Sequence, residues 1–240
     1  MIPDKRLSQH FLTDRTILEK IVDALDPAPA EVVLEIGAGR GSLTEVLLAR
    51  GLRVIAIEKD RRLAAEVDSA FPIPHFKIVG NIPYAITSPL LDKALTPPLP
   101  ERIVFLVQAE VAARVAAAPG SKTYGALSVG VQAVCRVERL FLVRAGAFHP
   151  RPRVDSALLR LTPLATPAVA PEELAALRVF VAACFSRRRK QLRNVIMAAT
   201  GQSAAVVRVG LSELGLDPAA RPETLGPGEF ARLLRWSARL

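Results

Sequence analysis

Apolar residues recur along this chain at two alternating spacings, which predicts helices and strands taking turns. Ile17, Leu18, Ile21, Val22 and Leu25 fall at helical spacing, after Thr13 or Asp14 as a cap and before Pro27 as a stop. Val32-Val33-Leu34-Glu35-Ile36 is a β-prone run of the kind covered on both faces. Leu43, Val46 and Leu47 return to helical spacing, Gly51 closes that helix, and Arg53 to Ile57 reads as the next strand. Arg61 to Ala70 reads as a helix, Phe76 to Val79 as a strand closed by Gly80, Arg102 to Val107 as a further buried strand, and Gln108 to Ala117 as the helix after it. Past a break at Pro119-Gly120-Ser121-Lys122, a helix opens at Tyr124 and runs to about Val134. Two strand-like segments, Val137 to Val143 and Asp155 to Leu161, then flank a loop from Ala147 to Arg153. Pro163 to Pro171, rich in Pro, Ala and Thr, reads as a linker. Beyond it Leu174, Leu177, Val181, Val195 and Ile196 indicate helices, the first with Pro171 at its start and Glu172 and Glu173 in its first turn. The order predicts an α/β domain over residues 1–165 and a small all-helical domain over 166–240.

The turn after the first buried strand carries the first chemistry. Gly37, Gly39 and Gly41 in Gly-Ala-Gly-Arg-Gly let the backbone swing tightly and admit a ligand close to the main chain. Glu58 ends the following strand, where an acid is the expected reader of ribose hydroxyls. Strand, glycine loop, helix, strand and acid in this order make a nucleoside-binding half. Dinucleotide sites space their glycines to bring a pyrophosphate onto a helix start. Here the third glycine comes one residue sooner and Glu35 lies two residues before the first. An acid there repels a pyrophosphate and attracts an ammonium, which favours S-adenosylmethionine over a nicotinamide dinucleotide.

Asn81-Ile82-Pro83-Tyr84 follows the strand closed by Gly80, so it belongs on a loop leaving the carboxyl end of a strand, where open α/β sheets place ligands. The tetrad combines a side-chain amide that donates and accepts, a kinked backbone with carbonyls exposed, and an aromatic face. These suit a flat base carrying an exocyclic amine; taken alone, they equally suit a turn with an aromatic anchor. Leu7 to Leu12 is an irregular segment in which His10 reads locally as an ordinary loop histidine. Prolines 150 and 152 stiffen the loop after Phe148, whose ring serves equally as a clamp on a base or as a core anchor.

Charge adds a partner. The 240 residues carry a formal charge of +9, and from Pro171 onward eleven basic residues face six acidic ones, a net +5. Arg187, Arg188, Arg189, Lys190 and Arg193 lie within ten residues that hold no acid, a density that suits phosphate contacts. Cys135 and Cys184 lie far apart in apolar surroundings and the three histidines share no ligand spacing, from which we expect a reducing compartment and no structural metal. The amino terminus lacks an apolar stretch of signal-peptide length and the apolar run Ile103 to Val107 is stopped by Gln108 and Glu110, so a soluble cytoplasmic protein with no membrane partner is expected.

Read together, these segments resemble the small-subunit ribosomal RNA adenine N6,N6-dimethyltransferases, from Arg6 to about Leu234. The matching motifs are Leu7 to Leu12, Val33 to Thr44, Asn81 to Leu91, Gln108 to Arg114, Tyr124 to Gln132, Phe148 to Leu161 and Phe185 to Asn194. The resemblance implies a Rossmann-like class I methyltransferase sheet with a small C-terminal helical domain. It also implies S-adenosylmethionine as methyl donor and two adjacent adenines of a small-subunit RNA hairpin as substrate, on immature subunits, with the enzyme expected to act as a monomer. By position, the resemblance implies that His10, Leu12, Gly37, Glu58 and Asn81 line the donor site, to which the reading of the glycine turn adds Glu35 and Gly39. Asn81 and the Ile82 carbonyl, in the bend set by Pro83, hold the target amine; Tyr84 stacks on the base, and Phe148 supports it. Arg187, Arg188, Arg189, Lys190 and Arg193 contact RNA.

One departure stands out. Only 22 residues separate Glu58 from Asn81, too few for the family's additional strand and its crossover. The sheet is therefore expected to lack an edge strand, together with the acidic loop residue that contacts the cofactor adenine in the family. Two rivals follow: a single-site large-subunit adenine methyltransferase of the resistance type, and a non-catalytic assembly factor that keeps the fold.

Overall fold

The protein was analysed as a computed structural model, which describes residues 10–57 and 75–239. Glu58 and the helix expected over Arg61 to Ala70 lie outside the described residues. The contacts divide the chain into two units, Met1–Ala112 with Arg136–Pro163, and Ala113–Cys135 with Leu164–Leu240.

The first unit is built on a six-stranded sheet. Its strands are β2 (Val32–Ile36), β3 (Arg53–Ile57), β4 (Phe76–Asn81), β5 (Arg102–Gln108), β6 (Cys135–Val143) and β8 (Ser156–Pro163), in the order β3-β2-β4-β5-β8-β6. Strands β3, β2, β4 and β5 run parallel and β8 pairs antiparallel with β5. This is the predicted α/β sheet, and β3 is its edge among the described residues. After β2 the chain passes through α2 (Ser42–Ala49) to β3 on one side, while β4 lies on the other. The crevice between the carboxyl ends of β2 and β4 is thus the switch point at which such sheets bind ligands.

Helix α1 (Arg15–Leu25) turns Leu18, Ile21, Val22 and Leu25 into a core shared with Val33, Leu47, Val79 and Leu106. Its cap is Asp14, whose carboxylate accepts from the Ile17 N–H at 3.2 Å, which resolves the choice between Thr13 and Asp14. Helix α3 (Thr87–Ala94) follows the tetrad directly, where the apolar pattern had not singled out a helix, and α4 (Ala109–Val115) follows β5. The loop expected from Ala147 to Arg153 is also partly ordered. Phe148–His149 form strand β7, which pairs antiparallel with β1 (Phe11–Leu12) and so places two segments remote in sequence side by side.

Gly80 does more than close a strand. A Cβ there would sit 2.5 Å from the Ile36 carbonyl oxygen and 2.7 Å from Ile82 Cδ1, so β2 and β4 approach too closely for any side chain. Gly80→Ala should lower stability by about 3 kcal/mol, the upper range for overpacking a dense interior, because the obstructing atom is backbone and cannot swing away. A urea midpoint unchanged from wild type would contradict this.

The second unit is helical. It contains α5 (Ala126–Gln132), α6 (Leu174–Phe185), α7 (Leu192–Thr200), α8 (Ala204–Glu213) and α9 (Pro227–Ser237). Two expectations change here. Residues 113–135, assigned by the sequence to the α/β domain, group with the helices: Gly120 N–H donates to the Glu223 carbonyl at 2.7 Å and the buried Tyr124 hydroxyl donates to the Leu225 carbonyl at 2.9 Å. The expected linker is tied down by Leu164 N–H to Val134 O at 2.9 Å and Ala168 N–H to Ala133 O at 2.7 Å, and Val169 is buried. The core of this unit includes the Tyr124, Phe185 and Phe230 rings, with neighbouring centroids 6.1 and 5.8 Å apart. Burial pushes the Cys135 and Cys184 thiols up to about 12, so both behave as small apolar core residues. Among the described residues no single helix is long and apolar enough to cross a membrane.

Candidate functional site

The glycine loop folds as its composition requires. Gly37, Gly39 and Gly41 have φ of +78°, +56° and +81°, the left-handed region that L side chains rarely adopt. Gly37 N–H donates to the Ile57 carbonyl at 2.9 Å and Gly41 N–H to that of Ala38 at 2.8 Å, which fixes the turn between β2 and α2. Opposite, a Cβ on Gly37 would lie 3.5 Å from the Asn81 carbonyl. The glycine loop and the tetrad therefore face each other across the switch point.

Between them lies a cleft whose lining includes Phe11, Leu12, Glu35, Gly37, Arg40 and Asn81. Glu35 is 1% exposed and its carboxylate accepts from Thr44 Oγ1 at 2.6 Å. A buried carboxylate in the wall of a mostly apolar cleft suits a cationic amine, since desolvation strengthens the attraction between them. Phe11 closes one side, packed under Gly39 and with the Arg40 guanidinium 4.9 Å from its ring centroid. The donor set predicted from sequence is thus gathered at one place for His10, Leu12, Glu35, Gly37, Gly39 and Asn81, while Glu58 lies outside the described residues.

The orientation of Asn81 is set by a contact that linear spacing does not reveal. Its Nδ2 donates to the His10 carbonyl at 2.7 Å, which leaves Oδ1 to accept. Ile82 is buried and its N–H donates to the Leu106 carbonyl at 3.0 Å, anchoring the bend at Pro83. Tyr84 begins a short 3₁₀ turn and is only partly buried. Its hydroxyl meets Ser156 Oγ at 3.1 Å, and its ring centroid lies 5.8 Å from that of His10, the planes tilted by 36°. His10 is more than a loop histidine: its Nδ1 is 2.7 Å from the Pro150 carbonyl, beside the β1–β7 ladder.

Two expected residues are placed differently. Phe148 is 5% exposed and belongs to the core of the first unit with Leu12 and Leu158, which favours the anchor over the clamp. In the basic run, Arg188 Nε donates to Glu223 at 2.8 Å and its Nη2 to the Ser121 carbonyl at 3.1 Å, so it secures the helical unit. Arg187, Arg189, Lys190 and Arg193 are exposed on the turn between α6 and α7 and at the start of α7. Sequence reasoning gave Phe11 only as part of the irregular segment Leu7 to Leu12 and Ser156 only as part of the strand Asp155 to Leu161, with no role of its own for either.

Comparison with known proteins bears on the same residues. The family model described as ribosomal RNA adenine dimethylase matches residues 4–75 and 72–236. A ribosomal RNA small subunit methyltransferase A of Geobacter metallireducens is 39% identical over 258 residues, covering 96% of this chain and 94% of that protein. One of Shouchella clausii is 40% identical over 259 residues, covering 95% and 88%. Among solved structures, a dimethyladenosine transferase from Plasmodium falciparum has a TM-score of 0.75 at 27% identity, covering 93% of this chain and 96% of that one. The 23S rRNA methyltransferase ErmE has 0.70 at 27%, covering 95% and 99%. The family match breaks at residues 72–75, within the stretch that is too short for the additional strand. Consistently, 96% of 240 residues is about 230, which leaves about 28 of the 258 positions aligned to the Geobacter protein without a residue here.

Proposed function

The chain belongs to the ribosomal RNA adenine dimethylase family, and on that premise we propose that it transfers methyl groups to the N6 of two adjacent adenines near the 3′ end of small-subunit ribosomal RNA. The methyl donor in this reading is S-adenosylmethionine and the substrate is the immature small subunit, met in the cytoplasm by a monomeric enzyme. The observation that carries the reading is the Asn81 amide, fixed by the His10 carbonyl at the switch point opposite the glycine loop.

S-adenosylmethionine, when bound, supplies a methyl group on a positively charged sulfur. Glu35, Gly37, Gly39 and Leu12 would hold its amino-acid half, the carboxylate matching the ammonium and the glycines allowing the main chain close to the ligand. The adenine N6 is a poor nucleophile because its lone pair is delocalised into the ring. Asn81 Oδ1 and the Ile82 carbonyl would accept its two hydrogens, favouring a pyramidal nitrogen with the lone pair aimed at the methyl. Preorganised acceptors of this kind act by position and electrostatics and need no general base of shifted pKa. The base has to leave its stack to enter, and the Tyr84 ring offsets part of that cost, ~1–3 kcal/mol per stacked base.

The relatives at 39–40% identity carry small-subunit names, whereas the likeness to the 23S enzyme is 27%, and this favours the small-subunit substrate over the resistance-type reading. The gathered site speaks against a non-catalytic assembly factor. Incubating the purified protein with methyl-labelled S-adenosylmethionine and unmethylated immature small subunits should place label in N6,N6-dimethyladenine at two neighbouring positions. Label in large-subunit RNA, or none in either, would overturn the proposal.

A further inference from the structure

We propose that Ser156 is a positioning residue for this reaction, holding the Tyr84 hydroxyl so that the tyrosine ring is fixed where the target adenine stacks. The inference rests on the functional reading above. Ser156 is the first residue of β8 and is 1% exposed, and its hydroxyl lies 3.1 Å from that of Tyr84. A serine needs a reason to be buried beside Ala157, Leu158 and Leu159, since a buried hydroxyl is costly unless it is bonded. The strand holds it rigidly. Ser156 stands opposite Gln108 in the β5–β8 register, and the preceding Asp155 accepts from Ala145 N–H at 2.9 Å and, through its carbonyl, from Ala109 N–H at 3.0 Å.

Tyr84 itself has no such support from its own element, a three-residue 3₁₀ turn with no side-chain cap. A tyrosine on a short turn of this kind would sample several χ1 wells, whereas here the hydroxyl is held by β8 and the ring is flanked by His10. Fixing the ring before the base arrives removes an ordering cost from the stacked complex. The effect falls on the chemical step, because phosphate contacts elsewhere bind the RNA whether or not the target base is correctly seated.

The test is a double-mutant cycle between Ser156→Ala and Tyr84→Phe, read as kcat and KM on immature small subunits. Ser156→Ala should lower kcat about fivefold, the worth of one neutral hydrogen bond, with KM and RNA affinity unchanged. Tyr84→Phe keeps the stacking face and should lower kcat equally. The double variant should be no worse than either single one, and Ser156→Thr should restore activity. Ser156→Ala losses that add in full to those of Tyr84→Phe would assign Ser156 a purely structural role and overturn the proposal, as would an unchanged kcat in Ser156→Ala. If Ser156→Ala fails to fold, Tyr84→Phe decides alone, because it removes the same bond from the other side; an unchanged kcat there overturns the proposal. Absence of methylation by the wild-type protein would instead strike the functional reading, which separates the two failures.

Discussion

Asn81→Ala should lower kcat/KM for methyl transfer by about 10³ while RNA affinity stays within about twofold, because the lost acceptor acts on the nitrogen only as it becomes cationic. The stability cost is small. One hydrogen bond, from Nδ2 to the His10 carbonyl at 2.7 Å, disappears, worth about 1 kcal/mol. Asn81→Asp separates the two halves of the amide. It keeps an acceptor but puts an oxygen where Nδ2 donated, so the His10 carbonyl faces a carboxylate and the side chain swings away. An intermediate loss is expected for Asn81→Asp, greatest in kcat. Single-turnover methylation at saturating RNA measures both variants, and an Asn81→Ala rate within a few-fold of wild type would remove Asn81 from the mechanism.

The second large effect belongs to the exposed cations. Replacing Arg187, Arg189, Lys190 and Arg193 together by Ala should weaken RNA binding at 0.1 M salt by on the order of 10²–10³ and reduce the salt slope of log K by about 3, roughly 0.7 for each lost phosphate contact on single strands. Arg188 is deliberately left in place. Its bonds to Glu223 and the Ser121 carbonyl hold the helical unit together, so its removal would mix a folding defect into the binding measurement. Binding isotherms from 50 to 300 mM salt provide the check. An unaltered slope with a folded variant would mean that these side chains do not meet the RNA.

Much of the candidate site was legible because its signals are local. Gly37, Gly39 and Gly41 announce left-handed backbone whatever surrounds them, and Asn81-Ile82-Pro83-Tyr84 announces a bend with an amide and a ring. The buried runs Val32 to Ile36 and Arg102 to Val107 announce covered strands, and both formed. Phe148 was not legible in the same way. The prolines after it fix an extended loop but not the side on which the ring lies, and pairing of Phe148–His149 with Phe11–Leu12 turned it into the core. Arg188 likewise looked no different from Arg187 and Arg189, since a run of arginines says nothing about which of them has Glu223 within reach.

The sequence by itself therefore determined the alternation of strands and helices, the glycine turn, the amide-bearing bend and the density of positive charge. All of these follow from backbone sterics and residue chemistry within a few positions. Only the tertiary structure decided which way the Asn81 amide points, that Ser156 holds Tyr84, and that residues 113–135 pack with the helices. Each depends on atoms 71 to 101 residues apart. No periodicity encodes such contacts, because they arise only when the register of β1 on β7, or of β8 on β5, has brought the two partners to the same place.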